Sequence, residues 1–399
     1  GVTMPSNSNT MNLPIEKRGF LTLVLAALSI FAPFATDMYL SGFTSIAADL
    51  NTDISNVQFS LSTFFIGMAL GQLLYGPLAD KYGRRIPLVI GIVIFIVSSL
   101  AIALAPNIQM FNGFRFIQAI GGCSGMVISR AIIQDVYDQK ESAQALSLMM
   151  VIQGVGPIVA PVLGAYLLLN GSWNVIFYFL AGFGLLCLAL TYKYVPESLP
   201  KEQRQTQNMA GIYQGFKALL TDKSFILPSL SGGLALSVMF CFITGSPNIL
   251  MNIYGLSQQH YSWAFSGTAL FMVFMSQLNR MLLARFSPQA IFNSSVFISS
   301  LVALILLLLR DTANIFVFLV PLAVCVGLVP VVSANAMALA MSSRTKDAGS
   351  ASSLIGVVQF GLAGGISALV SVMDNGTALP MTAMILTCSA CAFVLNRLR

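Results

Sequence analysis

Gly76-Pro-Leu-Ala-Asp-Lys-Tyr-Gly-Arg-Arg85 is an island of charge between two long apolar runs. Asp80, Lys81, Arg84 and Arg85 stand where one run ends and the next begins, with Gly76 and Gly83 marking the connection. Little other charge is found in the first third of the chain. A tight, charged connection between apolar stretches of this length points to two membrane-crossing segments joined by a short loop.

Working outward, the 399-residue chain is 56% hydrophobic and 9% charged, with a mean hydropathy of +0.82. A soluble domain carries about 25% charged residues, so much of this surface is built to meet lipid. Apolar runs lie at 20–41, 57–79, 86–105, 110–133, 144–169 and 173–192. After a polar segment, six more follow at 224–245, 260–283, 289–310, 314–341, 347–373 and 376–396. In lipid, each backbone N–H and C=O must be satisfied inside its own segment, so every run is expected to be a helix. The expectation is an all-α membrane protein of twelve transmembrane helices in two six-helix bundles, 13–192 and 224–399, joined by a linker at 193–223. Residues 4–12 are polar and the first run is too long for a leader's apolar region, so no cleavable signal is expected.

The net charge of +6 is explained by topology. With the N-terminus cytoplasmic, Lys17, Arg18, Lys81, Arg84, Arg85, Arg130 and Lys140 fall on the inner side. So do Lys193, Lys201, Arg204, Lys217 and Lys223 of the linker, and Arg280, Arg285, Arg344, Lys346, Arg397 and Arg399 beyond it. The outer loops receive only Arg310. This positive-inside bias predicts cytoplasmic termini and removes the need for a nucleic-acid partner. All six cysteines (Cys123, Cys187, Cys241, Cys325, Cys388 and Cys391) lie in apolar runs without the paired spacing of a metal site, and are expected to be buried free thiols. No phosphate-binding loop, HExxH or Ser/His/Asp set is present. No cofactor, metal or catalytic role is expected, which disfavours a polytopic membrane enzyme.

Few ionisable residues lie deep inside the runs, and these are the functional candidates. Asp37 is about seventeen residues into the first helix, ~25 Å from its inner end. Arg115 enters the antiparallel fourth helix from outside and lies ~8–12 Å deep. The two therefore reach comparable depth in the outer half of the membrane. Low dielectric favours a neutral carboxyl and a nearby guanidinium favours an ionised one. A carboxyl between those influences can take up and release a proton, and Asp37 with Arg115 is the predicted proton and substrate couple. The plainer alternatives are a static ion pair or an Asp37 that reaches the outer interface. Gln118 lies one turn beyond Arg115 on the same face. Candidate cavity residues are Tyr39, Phe64, Phe65, Gln118, Phe240, Asn248, Gln277, Asn335 and Gln359. Each of these also has a plainer use as helix packing or interhelical glue.

In the fifth helix, Gly154-Val-Gly-Pro-Ile-Val-Ala-Pro-Val-Leu-Gly164 carries two prolines four residues apart. Pro157 and Pro161 each remove a helix hydrogen bond, while Gly154, Gly156 and Gly164 permit close helix approach. Such a helix suits an interface that opens and closes. Ser246-Pro247-Asn248 marks a second proline break in the seventh helix.

These segments resemble a known family. The Gly76–Arg85 stretch resembles the signature loop of the major facilitator superfamily between its second and third helices. Arg115-Phe-Ile-Gln-Ala-Ile-Gly121 is similar to the fourth-helix motif of its proton-coupled members, and Gly154–Gly164 to the fifth-helix motif of its antiporters. Thr36-Asp-Met-Tyr-Leu40, Arg130-Ala-Ile-Ile-Gln-Asp135, Pro196-Glu-Ser-Leu-Pro200 and Gly245-Ser-Pro247 with Tyr254-Gly-Leu-Ser257 narrow the likeness to Bcr/CflA-type bacterial drug:proton antiporters. Ser41, Ala119 and the Ala160-Pro161 pair depart from the family pattern.

The resemblance implies efflux of a small amphipathic drug or metabolite from a bacterial inner membrane in exchange for protons, by a monomer. Asp37 and Arg115 correspond to the family's first-helix acid and fourth-helix arginine. A dedicated exporter of one metabolite, such as a siderophore or sugar, is the alternative within transport. Gly76, Asp80, Lys81, Gly83, Arg84 and Arg85 are the expected cytoplasmic gate, with the start of the eleventh helix near Asp347 as Asp80's expected partner.

Overall fold

The computed structural model describes residues 15–204, 209–342 and 348–398. Among the described residues there is no strand, and twelve long helical stretches run back and forth. The first, α1, is built in pieces, Ile15–Ser29, Phe31–Asp37 and Phe43–Asp49. It is followed by α2 (Ile54–Tyr82), α3 (Arg85–Ala103), α4 (Ile108–Val136), α5 (Gln139–Leu169) and α6 (Asn174–Tyr194). A short linker helix, Met209–Leu220, leads to α7 (Lys223–Pro247), α8 (Gln258–Leu283) and α9 (Pro288–Leu308). The last three are α10, in two pieces (Ile315–Gly327 and Val329–Met341), α11 (Ala348–Val372) and α12 (Leu379–Arg397).

By length and composition, eleven of these stretches can cross a membrane. The exception is α8, long enough at 26 residues but interrupted by Gln, Ser, Thr and Asn. Its polar groups are used against protein: Ser266 donates to the Ile158 carbonyl of α5 at 2.6 Å.

The break in α1 follows from Pro33. Proline has no N–H and its ring collides with the carbonyl four residues earlier. The helix accordingly ends at Ser29 and restarts at Phe31. A second irregularity at Met38–Gly42 leaves Asp37 at the end of a seven-residue helical piece. By contrast α5 runs unbroken through Pro157 and Pro161. Past Pro247, α7 widens into a π turn, Asn248–Ile253.

Helices α1–α6 pack chiefly among themselves, with α4 against α2 and α3, and α3 against α6. Helices α7–α12 do likewise, with α7 against α10, α11 and α12. Close approach is set by small residues: a Cβ on Gly121 of α4 would sit 2.5 Å from the Phe95 nitrogen of α3. Two long seams join the halves, α2 with α11 and α5 with α8. Ser62 donates to the Gly364 carbonyl at 2.7 Å and Ser353 to the Gln72 carbonyl at 3.1 Å across the first seam. The bundle thus has one end carrying the charged loops and a plain end. At the plain end, the last turns of α1 rest on α7 and α8, and Gln258 of α8 donates to Ser45 at 3.1 Å.

Candidate functional site

Between the halves lies a cavity of about 270 Å³, walled by α1, α2, α4 and α5 on one side and α7, α8 and α11 on the other. Its surface is overwhelmingly apolar. Phe64, Phe65 and Phe240, anticipated from the sequence, line it, and Phe65 and Phe240 meet across the seam with ring centroids 4.7 Å apart. Asp37 is also on its wall and is the only acid there among the described residues. The residue is 4% exposed, and its buried Oδ1 has no hydrogen-bond partner among the described residues.

Arg115 is fully buried, but it is not paired with Asp37. Its Nη1 donates to the Ala35 carbonyl at 2.8 Å and to Gln118 Oε1 at 2.7 Å, and Gln118 passes the chain on to Ser99 at 3.0 Å. The guanidinium is sandwiched between the rings of Tyr39 and Phe64, each 4.3 Å away, while Nε and Nη2 have no hydrogen-bond partner. The reason is angular. At 3.6 residues per turn, Ala35 and Asp37 lie ~200° apart around α1, so the face that meets α4 is opposite the face that meets the cavity. Depth along the helices brings the two residues to one level, and azimuth keeps them on separate sides of α1.

The remaining predicted residues fall elsewhere. Tyr39 bonds Ser60 at 2.7 Å, and Gln118 is wholly within the Arg115 network. Asn335 joins α10 to α8 by donating to Asn279 at 2.8 Å. Asn248 accepts from Asn252, and Gln277 from Arg280 outside the core. None of these, nor Gln359, lines the cavity. Sequence reasoning missed Gln153, Thr268, Met126, Met239 and Met272, which do. A signal was available for Gln153, one helical turn before Pro157, which shares its cavity face.

The glycines of the α5 motif differ in use. Gly154 faces Val273 of α8, Gly156 faces Pro33, and Gly164 is pressed on the Met38 carbonyl.

At the charged end, the Gly76–Arg85 stretch is knitted into its own half. Arg84 meets Asp80 at 2.7 Å and Asp135 of α4 at 2.7 Å. Burial works against its charge, but the bonds to Asp135 and Asp80 outweigh burial and hold its pKa above the ordinary value. Glu197, just after α6, accepts from the backbone N–H groups of Arg84 and Arg85 at 2.9 and 3.0 Å, a carboxylate on the positive end of α3. Gly83 has φ +91°, and a side chain there would strike Glu197 and Arg204. Arg85 bonds the Tyr192 carbonyl, and Lys81 folds over Tyr82. Gly76 has open space around it. Asp80's expected partner near Asp347 lies outside the described residues.

Residues 25–368 match the family described as Major Facilitator Superfamily. The bicyclomycin resistance protein homolog of Haemophilus influenzae is 31% identical over 93% of both chains. The MFS-type transporter YdgK of Bacillus subtilis is 33% identical over 92% of both, and the multidrug resistance protein MdtL of Vibrio parahaemolyticus 30% over 84%. In structure, the chain is similar to a bacterial homolog of the lysosomal transporter Spinster, with a TM-score of 0.76, 16% identity and 96% and 98% of the two chains covered. A D-xylose-proton symporter is comparable, at TM-score 0.74, 17% identity and 94% and 97% coverage. These two likenesses concern the fold. This chain belongs to the major facilitator superfamily, a family of multi-pass membrane transporters.

Proposed function

We propose that the protein is a proton-coupled efflux transporter of small amphipathic compounds, drugs among them, working as a monomer by alternating access in a bacterial inner membrane. The charged end is cytoplasmic, as are both termini. The halves 13–192 and 224–399 are the two rocking bodies, with 193–223 as the tether. The observation that carries this reading is Asp37: one buried carboxyl, with an unpartnered oxygen, on the wall of an apolar cavity between two bundles.

An ionised carboxylate in such a place is costly unless it is solvated or matched. Protonation from outside removes that cost and lets the cavity release its guest; deprotonation towards the cytoplasm restores the charge and the binding state. Arg115 acts as a fixed cation that ties α4 to the backbone of α1 two residues before Asp37. It holds the acid's helix in place without neutralising it. Thioethers adapt to varied shapes, so Met126, Met239 and Met272 favour a broad substrate range over a single metabolite.

The test is transport in proteoliposomes across a panel of drugs and metabolites, with and without an imposed pH gradient. Asp37→Asn is expected to abolish uphill export while the protein remains folded. Normal gradient-driven export by that variant would overturn the assignment, and flux insensitive to the gradient in the parent protein would overturn antiport.

A further inference from the structure

Five polar side chains stand on the cavity wall, and only one keeps a proton to donate while Asp37 is ionised. Ser29 donates its hydroxyl proton to the Ala26 carbonyl at 2.6 Å, Thr36 to the Ala32 carbonyl at 2.7 Å and Thr268 to the Ala264 carbonyl at 2.9 Å. A hydroxyl has a single proton, so these three are spent on their own helices. An ionised carboxylate can only accept. Gln153 is the exception. It lies half-buried in a membrane-spanning stretch of α5 and lines the cavity, and its amide makes no hydrogen bond among the described residues. An amide without partners in an apolar setting is costly, and inside a membrane such a group marks a substrate path.

The backbone adds acceptors beside that donor. Proline has no N–H, so Pro157 leaves the Gln153 carbonyl without its usual helical donor, and Pro33 does the same to the Ser29 carbonyl. All four residues line the cavity. Gln153 therefore offers the N–H donors of its side-chain amide together with acceptors on side chain and main chain, which an amide group of a guest meets with its own C=O and N–H. Two contacts between α1 and α5, which both start at the charged end, set its height. Gly156 faces Pro33, and Gly164 is pressed on the Met38 carbonyl. Counted from either contact at ~1.5 Å per residue, Gln153 lies ~10–15 Å from Asp37, towards the charged end. The rest of the wall is apolar, with Phe65, Phe240 and three methionines among it.

We propose that Gln153 is a specificity-determining residue of the cavity, holding an amide group of the substrate while the ionised Asp37 accepts from an amino or hydroxyl group at the other end. The preferred guest is a neutral or singly cationic amphiphile that carries these two groups ~10–15 Å apart with an apolar body between them. A guest without the amide leaves Gln153 unpaired in a dry cavity, and the cost of that unpaired group is the source of the discrimination. The inference rests on the transport reading above and names its substrate class.

Two probes isolate the amide: a benzamide joined through an octamethylene chain to a diethylamino group, and its counterpart in which the carbonyl and the N–H are each replaced by a methylene. Their affinities for the full-length protein in nanodiscs are measured by equilibrium dialysis against empty nanodiscs, which removes the difference in lipid partitioning. Gln153→Met keeps the length of the side chain and removes its hydrogen bonds. It is expected to weaken the amide about fivefold relative to the methylene counterpart, the factor ~1 kcal/mol makes, and Gln153→Asn is expected to keep part of the discrimination. Unchanged affinity for the amide in Gln153→Met overturns the proposal. An equal loss for both probes means a packing role and also overturns it. Asp37→Asn is expected to weaken both probes alike; a loss confined to the amide there would place the amide at the acid and overturn the arrangement. Dialysis reads binding without a pH gradient, so these outcomes are distinct from the gradient-driven export on which the transport reading is judged.

Discussion

Gly164→Ala tests whether the fit between α5 and the irregular end of α1 holds the acid in place. In the middle of a helix, alanine is favoured over glycine by about 0.8–1 kcal/mol, so on propensity alone the change stabilises. The tertiary contact reverses the sign. A Cβ at Gly164 would run into the Met38 carbonyl oxygen, and would lie 2.8 Å from the carbonyl carbon and 3.1 Å from the Met38 Cα. Carbon contacts become favourable at ~3.5 Å, so the helices must part by roughly 0.7 Å at the carbon and by more at the oxygen. All three atoms are backbone, next to Asp37, and no side chain can swing aside. Overpacking of this kind costs about 1–3 kcal/mol. Gly154 and Gly156 supply internal controls, because their nearest neighbours would be side-chain atoms at 3.7 and 3.6 Å, ordinary contact. Thermal unfolding of the purified protein, followed by tryptophan fluorescence and by monodispersity on gel filtration, should therefore rank Gly164→Ala well below the parent. Gly154→Ala and Gly156→Ala should match or exceed it. If Gly164→Ala proved as stable as Gly156→Ala, the packing of α5 on Met38 described here would be wrong.

Two further expectations concern the ends of the bundle. Within the charged cluster, Asp135 is 16% exposed and Asp80 57%, so the two acids that hold Arg84 are not equivalent. Asp135→Ala should cost about 1.5–3 kcal/mol, as for a hydrogen bond to a charged group, and Asp80→Ala less than about 1 kcal/mol; melting temperatures in the opposite order would refute the ranking. At the plain end, Gln258→Ala removes the bond to Ser45 that helps hold the halves together. A loss of about 1 kcal/mol shifts a two-state population about fivefold, so spin-label distances between the ends of α1 and α8 should lengthen, and an unchanged distribution would exclude a latch there.

Much of the architecture was legible in the sequence because lipid leaves few alternatives. The twelve helices begin and end within a few residues of the apolar runs, apart from α1, α5 and α7, whose ends run further. The site was legible only in part. Asp37, Phe64, Phe65 and Phe240 were found because charge and aromatic rings stand out in an apolar chain. Gln153 and the methionines were not, since a polar or flexible side chain in a helix has the same composition signal whether it faces a cavity, a neighbour or lipid. Asn335 shows the converse: it looks like a cavity residue in one dimension, and its amide is used to join α10 to α8. Glu197 and Asp135 were visible as parts of short motifs, but their meeting with Arg84 and Arg85 joins positions about fifty and more than a hundred residues apart.

The Gly76–Arg85 stretch alone was enough to indicate a chain that repeatedly crosses a membrane, and hydropathy with the Lys and Arg distribution supplied the number of crossings and an expected orientation. These are properties of segments, set by the transfer of side chains and backbone between water and lipid, and they can be read without knowing any neighbour. Which face each helix turns inward is a property of packing. A rotation of ~100° per residue separates a cavity acid from a buried hydrogen bond two residues away, and no one-dimensional pattern fixes that rotation in a helix apolar on every side. Tertiary structure therefore decided that Arg115 braces the backbone of α1 and leaves Asp37 without an ionic partner among the described residues. It also decided that the charged loop binds its own half together.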